Sequence, residues 1–230
     1  MNESFKRAAA RRSLDFVEDG MKLGLGTGST AEAFLELLAE KIRSGLNITG
    51  AATSERTEEK ARALGIPLHD LDRLAPLDLT IDGADEADRE LNLIKGGGGA
   101  LLREKIIAAS SRRMIVIADS SKLVDRLGRF PLPVEVSRFG HVTTARRVVE
   151  SAARLGYLHM QPSLRTVDDT PFTTDSGNLI YDCAFVSITD APTLAASLSG
   201  IPGVVEHGLF IGLATSLVIA GADGVDVIGA

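Results

Sequence analysis

The chain has 230 residues, a length that allows one large domain or one domain with a smaller companion. A hydrophobic fraction of 44% supplies a real core, whereas a net charge of −6, the lack of Trp and only 4% aromatic residues argue against a nucleic-acid reader. The apolar runs are too short to cross a bilayer, the first residues lack the apolar stretch of a secretory signal, and the single Cys183 cannot form an internal disulfide. We therefore expect a cytoplasmic protein that binds neither membrane nor nucleic acid.

Strands and helices alternate along the first half of the chain. An N-terminal helix is predicted over residues 4–19. Strands are predicted at Met21–Leu25, Asn47–Ala52, Leu77–Ile81 and Arg113–Ala118. Helices are predicted at Ala31–Ser44, from Ser54 to Ala63, and from the glycines Gly96–Gly99 to about Ala109. This alternation is typical of βαβ units and a parallel sheet.

The pattern changes after Phe130–Pro133. The predicted elements that follow are strands at Val134–Val136, near Leu164, at Leu179–Ile188 and at Val204–Glu206, with helices at Val142–Leu155 and Ala191–Leu198. Their order, β-α-β-β-α-β, is ferredoxin-like. The apolar segments Thr215–Ala220 and Val225–Ile228 are expected to return to the first sheet. We predict an α/β fold with a Rossmann-like parallel-sheet domain (residues 1–129 plus 207–230) and an inserted ferredoxin-like α+β domain (residues 130–206).

The first predicted strand ends in a glycine-rich loop, Gly24–Thr30. In an open parallel sheet, ligands bind outside the carboxyl ends of the strands. Glycines permit close backbone approach, and the hydroxyls of Thr27, Ser29 and Thr30 at a helix start suit a phosphate. The loop lacks the Lys of a Walker A motif, and its G-x-G-x-G spacing differs from that of a dinucleotide-binding loop. A tight turn with a Ser/Thr helix cap accounts for the same residues equally well.

The third predicted strand runs into a loop rich in carboxylates, Asp82–Asp88. Close carboxylates can divide the work of proton donor and proton acceptor between them. The alternatives are an Asx-turn in a polar loop and a Mg²⁺ site. We disfavour the metal because the loop has no EF-hand pattern and because Lys95, in the next segment, supplies a cation.

That next segment is Lys95–Gly99, and it leads into an apolar helix. Four consecutive glycines are entropically costly, so we interpret them as a place where the backbone approaches a ligand at a helix N-terminus. Lys95 is expected at the rim as a point charge or proton donor, and Glu104 is expected to face the same crevice. The alternative for Glu104 is a surface acid between Arg103 and Lys105.

The fourth predicted strand ends at Ala118–Lys122, where Lys122 follows two serines. A Ser-rich turn with an exposed Lys explains this segment equally well. None of the four histidines falls in these segments, and the sequence has no G-x-S-x-G nucleophile motif. Cys183, in an apolar strand, is interpreted as a buried hydrophobe rather than a nucleophile.

Together these groups suit proton abstraction next to a carbonyl. Glu104 would be the base, Lys95 the nearby cation, Asp82 and Asp85 the assisting acids, and Thr27–Thr30 the phosphate cradle. Such chemistry passes through an enediolate and needs neither a metal nor a redox cofactor. An aldose–ketose isomerisation of a sugar phosphate fits this set of residues.

Several motifs in order along nearly the whole chain resemble ribose-5-phosphate isomerase of the A type. They are GTGST at Gly26–Thr30, DGADE at Asp82–Glu86, KGGGGALLREKI at Lys95–Ile106, ADSSK at Ala118–Lys122, GRFPLPVEV at Gly128–Val136, TDSGN at Thr174–Asn178 and IPGVVEHGLF at Ile201–Phe210. The resemblance implies interconversion of D-ribose 5-phosphate and D-ribulose 5-phosphate, in the non-oxidative pentose phosphate pathway. It also implies a homodimer or a homotetramer.

The resemblance assigns roles residue by residue. Glu104 matches the base that moves a proton between C2 and C1, Asp82 and Asp85 match residues that hold sugar hydroxyls and help open the ring, and Lys95 matches the group that steadies the oxyanion. The matching substrate-binding positions are Thr27, Gly28, Ser29, Thr30, Gly83, Ala84, Gly96, Gly97, Gly98, Lys122 and Lys6, the last of which aligns loosely as a phosphate contact.

Two departures from the family pattern and two competing functions remain. The family commonly has KGGGAAL where this chain has a fourth glycine, Gly99, and TDNGN where it has Ser176. One alternative is a sugar-phosphate deaminase or hydrolase of the same superfamily, but its ring-opening histidine has no counterpart between Asp82 and Lys105. The other is a sugar-phosphate sensor like the effector domain of DeoR-type repressors, but the sheet begins too early to leave room for a DNA-binding helix-turn-helix.

Overall fold

The computed structural model describes residues 3–229. The helices are α1 (Glu3–Ser13), α2 (Ser29–Arg43), α3 (Glu55–Ala63), α4 (Leu71–Leu74), α5 (Leu101–Ala109), α6 (His141–Arg154) and α7 (Ala191–Ser199). The strands are β1 (Lys22–Leu25), β2 (Thr49–Ala52), β3 (Leu79–Asp82), β4 (Glu86–Ala87), β5 (Leu93–Ile94), β6 (Met114–Asp119), β7 (Leu132–Val136), β8 (Gln161–Leu164), β9 (Thr166–Val167), β10 (Thr170–Pro171), β11 (Leu179–Ala184), β12 (Val204–His207), β13 (Leu209–Phe210), β14 (Ser216–Gly221) and β15 (Gly224–Ile228). In residues 3–229, no helix combines the length and the apolar character that a membrane span requires.

The chain divides into two compact units. The larger unit comprises Met1–Ala84, Arg103–Leu123 and Gly212–Ala230, and the smaller unit comprises Asp85–Leu102 and Val124–Ile211. These limits differ from the predicted domain boundaries, since residues 85–102, 124–129 and 207–211 cluster with the smaller unit. The reason is a three-stranded sheet, β13-β5-β4, that holds these segments together. Its strands have two residues each, which is too short for a periodic pattern.

The larger unit is built on a six-stranded sheet with the order β15-β14-β6-β3-β1-β2. All neighbours are parallel except β14 and β15, which pair antiparallel. The parallel strands follow the doubly wound order 2-1-3-4-5, in which the chain changes direction between β1 and β3. Ligands bind at such a switch point in open α/β sheets. The predicted Rossmann-like parallel sheet is confirmed.

The sheet of the larger unit carries an apolar core. All six residues of β6, Met114–Asp119, are buried, as expected for a central parallel strand covered on both faces. Helix α2 buries Phe34, Leu35 and Leu38 along one stripe, and each such side chain stabilises the fold by about 1.5–3 kcal/mol. Helix α1 lies against α2, β6 and β14.

The smaller unit contains an antiparallel sheet with the order β12-β7-β11-β8, together with helices α6 and α7. This is the predicted ferredoxin-like arrangement. Its core includes Val134, Val148, Cys183 and Leu194, all buried. Burial raises the pKa of the Cys183 thiol to about 12, which keeps it protonated and supports its interpretation as a core residue.

The structure of the smaller unit differs from the prediction at one strand end and at one additional hairpin. The strand expected at Leu179–Ile188 ends at Ala184, because Val186 adopts a left-handed conformation with φ 65° that a strand cannot continue. A hairpin formed by β9 and β10 was not predicted. Its turn uses Asp168 (φ 49°) and Asp169 (φ 60°), and Asp is among the residues that tolerate such φ values.

Candidate active site

The loop after β1 opens directly onto helix α2. Gly28 precedes the helix with φ 106°, a conformation that favours glycine, and α2 begins at Ser29. Backbone N–H groups of a first helical turn have no intrahelical acceptor, so they can bind an anion. Ser29 is exposed, and Gly28 and Thr30 are partly buried. The residues predicted as a phosphate cradle therefore lie at the start of a helix, and their role in phosphate binding stays a prediction.

The hydroxyl of Thr27 belongs to a cluster of four hydroxyl groups. Its Oγ1 lies 2.8 Å from Thr53 Oγ1, 2.8 Å from Ser54 Oγ and 2.9 Å from Thr57 Oγ1. Thr53 donates to Leu25 O (2.9 Å) and Thr57 donates to Gly26 O (3.1 Å), so the cluster ties the start of α3 to the loop. Sequence reasoning missed Thr53, Ser54 and Thr57, although the hydroxyl run after β2 was visible.

Asp82 joins the ends of β1 and β3. It is fully buried, and its Oδ1 accepts from the backbone N–H of Thr27 (3.0 Å) and of Gly83 (2.7 Å). A Cβ on Gly26 would lie 2.3 Å from this same Oδ1, so the close approach needs a glycine. Ala84, like Gly83, is partly buried. One predicted acid therefore holds the predicted phosphate loop in place.

Glu104 lies in the first turn of α5, on the buried face of that helix. Its side chain is only 4% exposed, in line with the buried Leu101, Ile107 and Ala108 at helical spacing. The alternative of a surface acid is therefore wrong. Arg103, beside it in sequence, reaches Glu55 Oε1 at 3.3 Å. The N-terminal end of a helix attracts negative charge, which suits a carboxylate in this turn.

Two lysines predicted at the phosphate end also belong to the larger unit. Lys122 is partly buried at the end of the short 3₁₀ turn that follows β6, and Asp119 caps this turn by accepting from Ser121 N at 3.0 Å. Lys6 lies on α1 with its side chain 8% exposed, and its Nζ is 3.4 Å from Glu3 Oε2. The burial of Lys6 is unusual for a helix surface lysine.

Asp85 and Lys95 belong to the smaller unit. The Oδ2 of Asp85 accepts from the backbone N–H of Gly97 at 2.7 Å. Lys95 is 2% exposed, its N–H donates to Gly208 O at 2.9 Å, and its Nζ lies 5.5 Å from the centre of the Phe210 ring. The sequence predicted Lys95 at the rim of the site. In the structure its side chain is buried instead.

Contacts or backbone angles within the protein itself favour glycine at three of these four positions. A Cβ on Gly97 would lie 2.6 Å from Asp85 Oδ1, and a Cβ on Gly99 would lie 2.4 Å from the ring of Phe172. Gly96 and Gly99 also have φ of 106° and 83°. Gly97 and Gly98 are exposed, so their backbone is open to a ligand. The glycines thus have a role in internal packing, and the approach of a ligand stays a prediction.

The other two acids of the carboxylate loop have structural roles. Buried Glu86 accepts from the N–H groups of Gly128 (2.7 Å) and Phe130 (2.6 Å), which holds the segment before β7. Asp88 accepts from Asn92 N (2.8 Å) and Asn92 Nδ2 (3.0 Å) within a tight turn. The carboxylates that crowd together in sequence therefore bind different partners in space.

A buried acid explains the motif at Thr174–Asn178. Glu135 on β7 is 0% exposed, and its Oε1 accepts from Thr174 Oγ1 (2.8 Å) and Asn178 Nδ2 (3.0 Å). Burial raises the pKa of Glu135, and the charge of Glu206, its neighbour on β12, adds to this effect. These contacts hold the turn that starts β11, so the motif has a structural explanation.

Across residues 3–229, His, Cys, Asp and Glu side chains form no group of three that could hold a metal ion.

Comparisons with known proteins identify the family of this chain. The model of the family described as ribose 5-phosphate isomerase A (phosphoriboisomerase A) matches residues 49–224. Ribose-5-phosphate isomerase A of Sinorhizobium fredii is 58% identical over 95% of this chain and 94% of its own length. The protein of the same name from Parvibaculum lavamentivorans is 57% identical over 98% of this chain and 97% of its own length.

Solved structures give the same result. Ribose 5-phosphate isomerase from Plasmodium falciparum superposes with a TM-score of 0.94 at 36% identity, covering 100% of this chain and 99% of that one. Ribose 5-phosphate isomerase A from Methanocaldococcus jannaschii superposes with a TM-score of 0.91 at 36% identity, covering 100% of both chains. The chain belongs to the ribose 5-phosphate isomerase A family.

Proposed function

We propose that this chain interconverts D-ribose 5-phosphate and D-ribulose 5-phosphate by proton transfer through an enediolate, with no metal or cofactor. The observation that carries the proposal is the burial of Glu104 in the first turn of α5, in a chain that belongs to a family of isomerases. A carboxylate shielded from water can act as a base towards a carbon acid, whereas an exposed acid would be solvated.

In the proposed reaction, Glu104 takes the proton from C2 of the open-chain aldose. The electrons of that C–H bond form a C1=C2 double bond, and the π electrons of the carbonyl move onto O1. The proton returns from Glu104 to C1 while the hydroxyl on C2 loses its own proton and becomes the new carbonyl. The electrons of the C1=C2 bond form the new C1–H bond, and O1 takes up a proton equivalent to the one that the C2 hydroxyl releases, so the sugar is isomerised without any net change in atoms or electrons.

The remaining groups stabilise or hold parts of the substrate in this proposal. Lys95 would balance the negative charge that develops on O1, since a buried cation interacts more strongly than one in water. Asp82 and Asp85 would hold sugar hydroxyls and assist ring opening. The phosphate would bind at Thr27–Thr30, chiefly through backbone N–H groups and the hydroxyls of Ser29 and Thr30, because the Thr27 hydroxyl already has protein partners.

Further phosphate and substrate contacts rest on the resemblance alone. Lys122 and Lys6 are proposed to add positive charge at the phosphate end, and Gly83, Ala84 and Gly96–Gly98 to contact the substrate through their backbone. A homodimer or homotetramer is proposed on the same ground. A relative that is 38% identical, with a TM-score of 0.91, was solved in complex with phospho-erythronic acid. We expect this phosphorylated sugar acid to compete with ribose 5-phosphate for this chain also.

The test is an isomerase assay on purified protein treated with a chelator. We expect ribose 5-phosphate to be converted to ribulose 5-phosphate, and Glu104→Gln to lower kcat by about 10²–10⁴-fold because it keeps the shape but removes the base. The matched control is Glu59→Gln, which changes an exposed acid on α3 and should leave kcat unchanged.

Three results would contradict the proposal. An inactive wild-type protein would refute the function, and full activity in Glu104→Gln would refute the base. Activity that is lost with the chelator and restored by Mg²⁺ would refute the metal-free reaction. The sensor alternative gains no support from the structure, because only one α-helix, α1, and a three-residue 3₁₀ turn precede β1 in residues 3–229.

A further inference from the structure

The peptide group that joins Gly96 to Gly97 is held at both of its polar ends. Its N–H, on Gly97, donates to Asp85 Oδ2 at 2.7 Å. Its oxygen, on Gly96, accepts from Arg165 Nη1 at 2.9 Å, and the same nitrogen lies 3.3 Å from Gly97 O. All of these residues belong to the smaller unit. Arg165 and Asp85 are therefore connected through one peptide group.

Arg165 is itself fixed by a two-point ion pair. Its Nε donates to Asp182 Oδ2 at 2.9 Å and its Nη2 donates to Asp182 Oδ1. The Arg165 side chain is 13% exposed and the Asp182 side chain 27%. Paired, charge-assisted hydrogen bonds of this kind are stronger than neutral ones and define the orientation of the guanidinium plane. The guanidinium thus presents its third nitrogen to the glycine segment in one orientation.

Phe172 closes the other side of the same segment. Its ring lies where a Cβ on Gly99 would stand, and the Arg165 guanidinium carbon is 5.8 Å from the ring centre. Phe172 N donates to Arg165 O at 2.9 Å, so the two residues form the base of the β9–β10 hairpin. The hairpin base therefore contacts the glycine segment at Gly96, Gly97 and Gly99.

A cation on the oxygen of a peptide group polarises its N–H. Hydrogen bonds in such a chain strengthen one another, and more so where water is scarce. Arg165 should therefore strengthen the bond from Gly97 N–H to Asp85 and hold the backbone that follows Lys95. Neither effect needs Arg165 to touch a substrate.

We infer that Arg165, held by Asp182 and covered by Phe172, is a positioning residue for the catalytic segment Asp85–Lys95–Gly97. The inference rests on the proposed isomerase function, because it assigns a role to Asp85 and Lys95 in that reaction. Arg165 acts on the orientation of Asp85 and on the path of the glycine backbone. The phosphate contacts proposed at Thr27–Thr30 lie in the other unit and do not depend on it.

The experiment compares Arg165→Ala with the control Arg147→Ala, an exposed Arg on α6. A small misplacement of catalytic groups can cost about 10²-fold, so we expect kcat for ribose 5-phosphate to fall by about 10–100-fold in Arg165→Ala while KM changes by less than about threefold. The control should keep both constants. Guanidinium chloride at millimolar concentration should restore part of kcat by occupying the vacated place beside Asp182, and urea at equal concentration should not.

A second variant covers the case in which Arg165→Ala fails to fold. Arg165→Lys keeps the positive charge but not the planar set of donors, so it should keep its unfolding temperature close to that of the wild type and still lose kcat. Wild-type kcat in Arg165→Lys would overturn the inference. So would a folded Arg165→Ala whose kcat matches that of the control, or whose loss responds equally to guanidinium and urea.

Hydrogen exchange separates this inference from the proposed function. If the wild-type protein has no isomerase activity, the function fails, and the clamp can still be measured as protection of the Gly97 amide. We expect Arg165→Ala to exchange that amide faster than Arg147→Ala does. Unchanged exchange would show that Arg165 does not hold the segment.

Discussion

Two glycine-containing segments of this protein are fixed by different kinds of contact. In the larger unit, the loop Gly26–Thr30 is held by Asp82 and by the hydroxyls of Thr53, Ser54 and Thr57. In the smaller unit, the segment Lys95–Gly99 is held by charged groups that bind its backbone, and by an aromatic ring.

Because the contacts differ, amino-acid substitutions should affect the two segments in different ways. In both, an aspartate accepts from one backbone N–H, Thr27 in the first and Gly97 in the second. The first segment also depends on side-chain hydroxyls, which a substitution can remove one at a time. The second depends on backbone atoms and on the absence of Cβ atoms, so a substitution there should disturb its conformation directly. The following predictions test this contrast.

The largest effect is expected from Gly99→Ala. The variant places a Cβ against the Phe172 ring and forces Ala into φ 83°, so it should lower the free energy of unfolding by about 2–5 kcal/mol. Gly99→Ala combined with Phe172→Ala should recover the steric part, so that the double variant loses only the backbone strain in addition to the cost of Phe172→Ala itself. Urea unfolding of the two single variants and the double variant measures this coupling.

The control for this prediction is Gly200→Ala, where φ is −82° and the added Cβ would approach no atom closer than 3.6 Å. That variant should be close to neutral. Simple additivity of Gly99→Ala and Phe172→Ala would show that the ring does not explain why this chain has glycine where the family commonly has alanine.

A smaller effect is expected from Thr57→Val, which keeps the shape but removes one hydroxyl of the cluster. The Gly26 oxygen loses its donor, which should cost about 1–3 kcal/mol of stability. If the cluster positions the phosphate loop, KM for ribose 5-phosphate should rise by about 3–10-fold, equivalent to about 0.7–1.4 kcal/mol, with kcat nearly unchanged.

Steady-state kinetics and urea unfolding together decide the outcome. Thr193→Val is a useful control, since it changes a threonine in the first turn of α7, which belongs to the smaller unit, and should leave KM and kcat unchanged. A fall in kcat without a change in KM for Thr57→Val would contradict the assignment of this loop to the phosphate.

The smallest effect concerns the pH dependence of stability. Burial raises the pKa of Glu135, so the unfolded chain releases this proton at lower pH than the folded chain does. The wild type should therefore lose stability, relative to Glu135→Gln, as pH rises from the ordinary glutamate pKa of 4.5 through the higher folded value. Below that range the two proteins should differ by a constant amount.

Urea unfolding at intervals of about one pH unit between pH 4 and pH 8 measures this difference in stability. A difference of one unit between the folded and unfolded pKa corresponds to about 1.4 kcal/mol. Glu150→Gln, an exposed acid on α6, should follow the wild type. A constant difference between wild type and Glu135→Gln across the whole range would show that Glu135 has the same pKa in both states.

Much of the fold could be predicted because its signals are local. The parallel strands, the helices between them and the β-α-β-β-α-β order of the second half all follow from hydrophobic period and from glycine and proline positions. The strands β4, β5 and β13 could not be predicted, since two residues carry no period. Because these strands pair with one another, residues 85–102 belong to the smaller unit and not to the predicted Rossmann-like domain.

Prediction of the site residues was also limited to those that a local sequence pattern marks. Asp82, Asp85, Lys95 and Glu104 stood out because unusual residues follow predicted strands or glycines. Arg165 did not stand out, because it contacts a backbone atom 69 positions away and no local pattern marks it. Thr57 was missed for a related reason, since its partner Gly26 is 31 positions away.

The sequence by itself determined the order of strands and helices and the residue types that end each strand, because backbone propensity and hydrophobic period act over a few residues. Only the tertiary structure decided that Glu104 and Lys95 are buried, that Glu86 and Asp88 are structural, and that a hairpin base holds the glycine segment. Burial and hydrogen bonding depend on segments far apart in the chain, whose approach is set by packing of the whole unit.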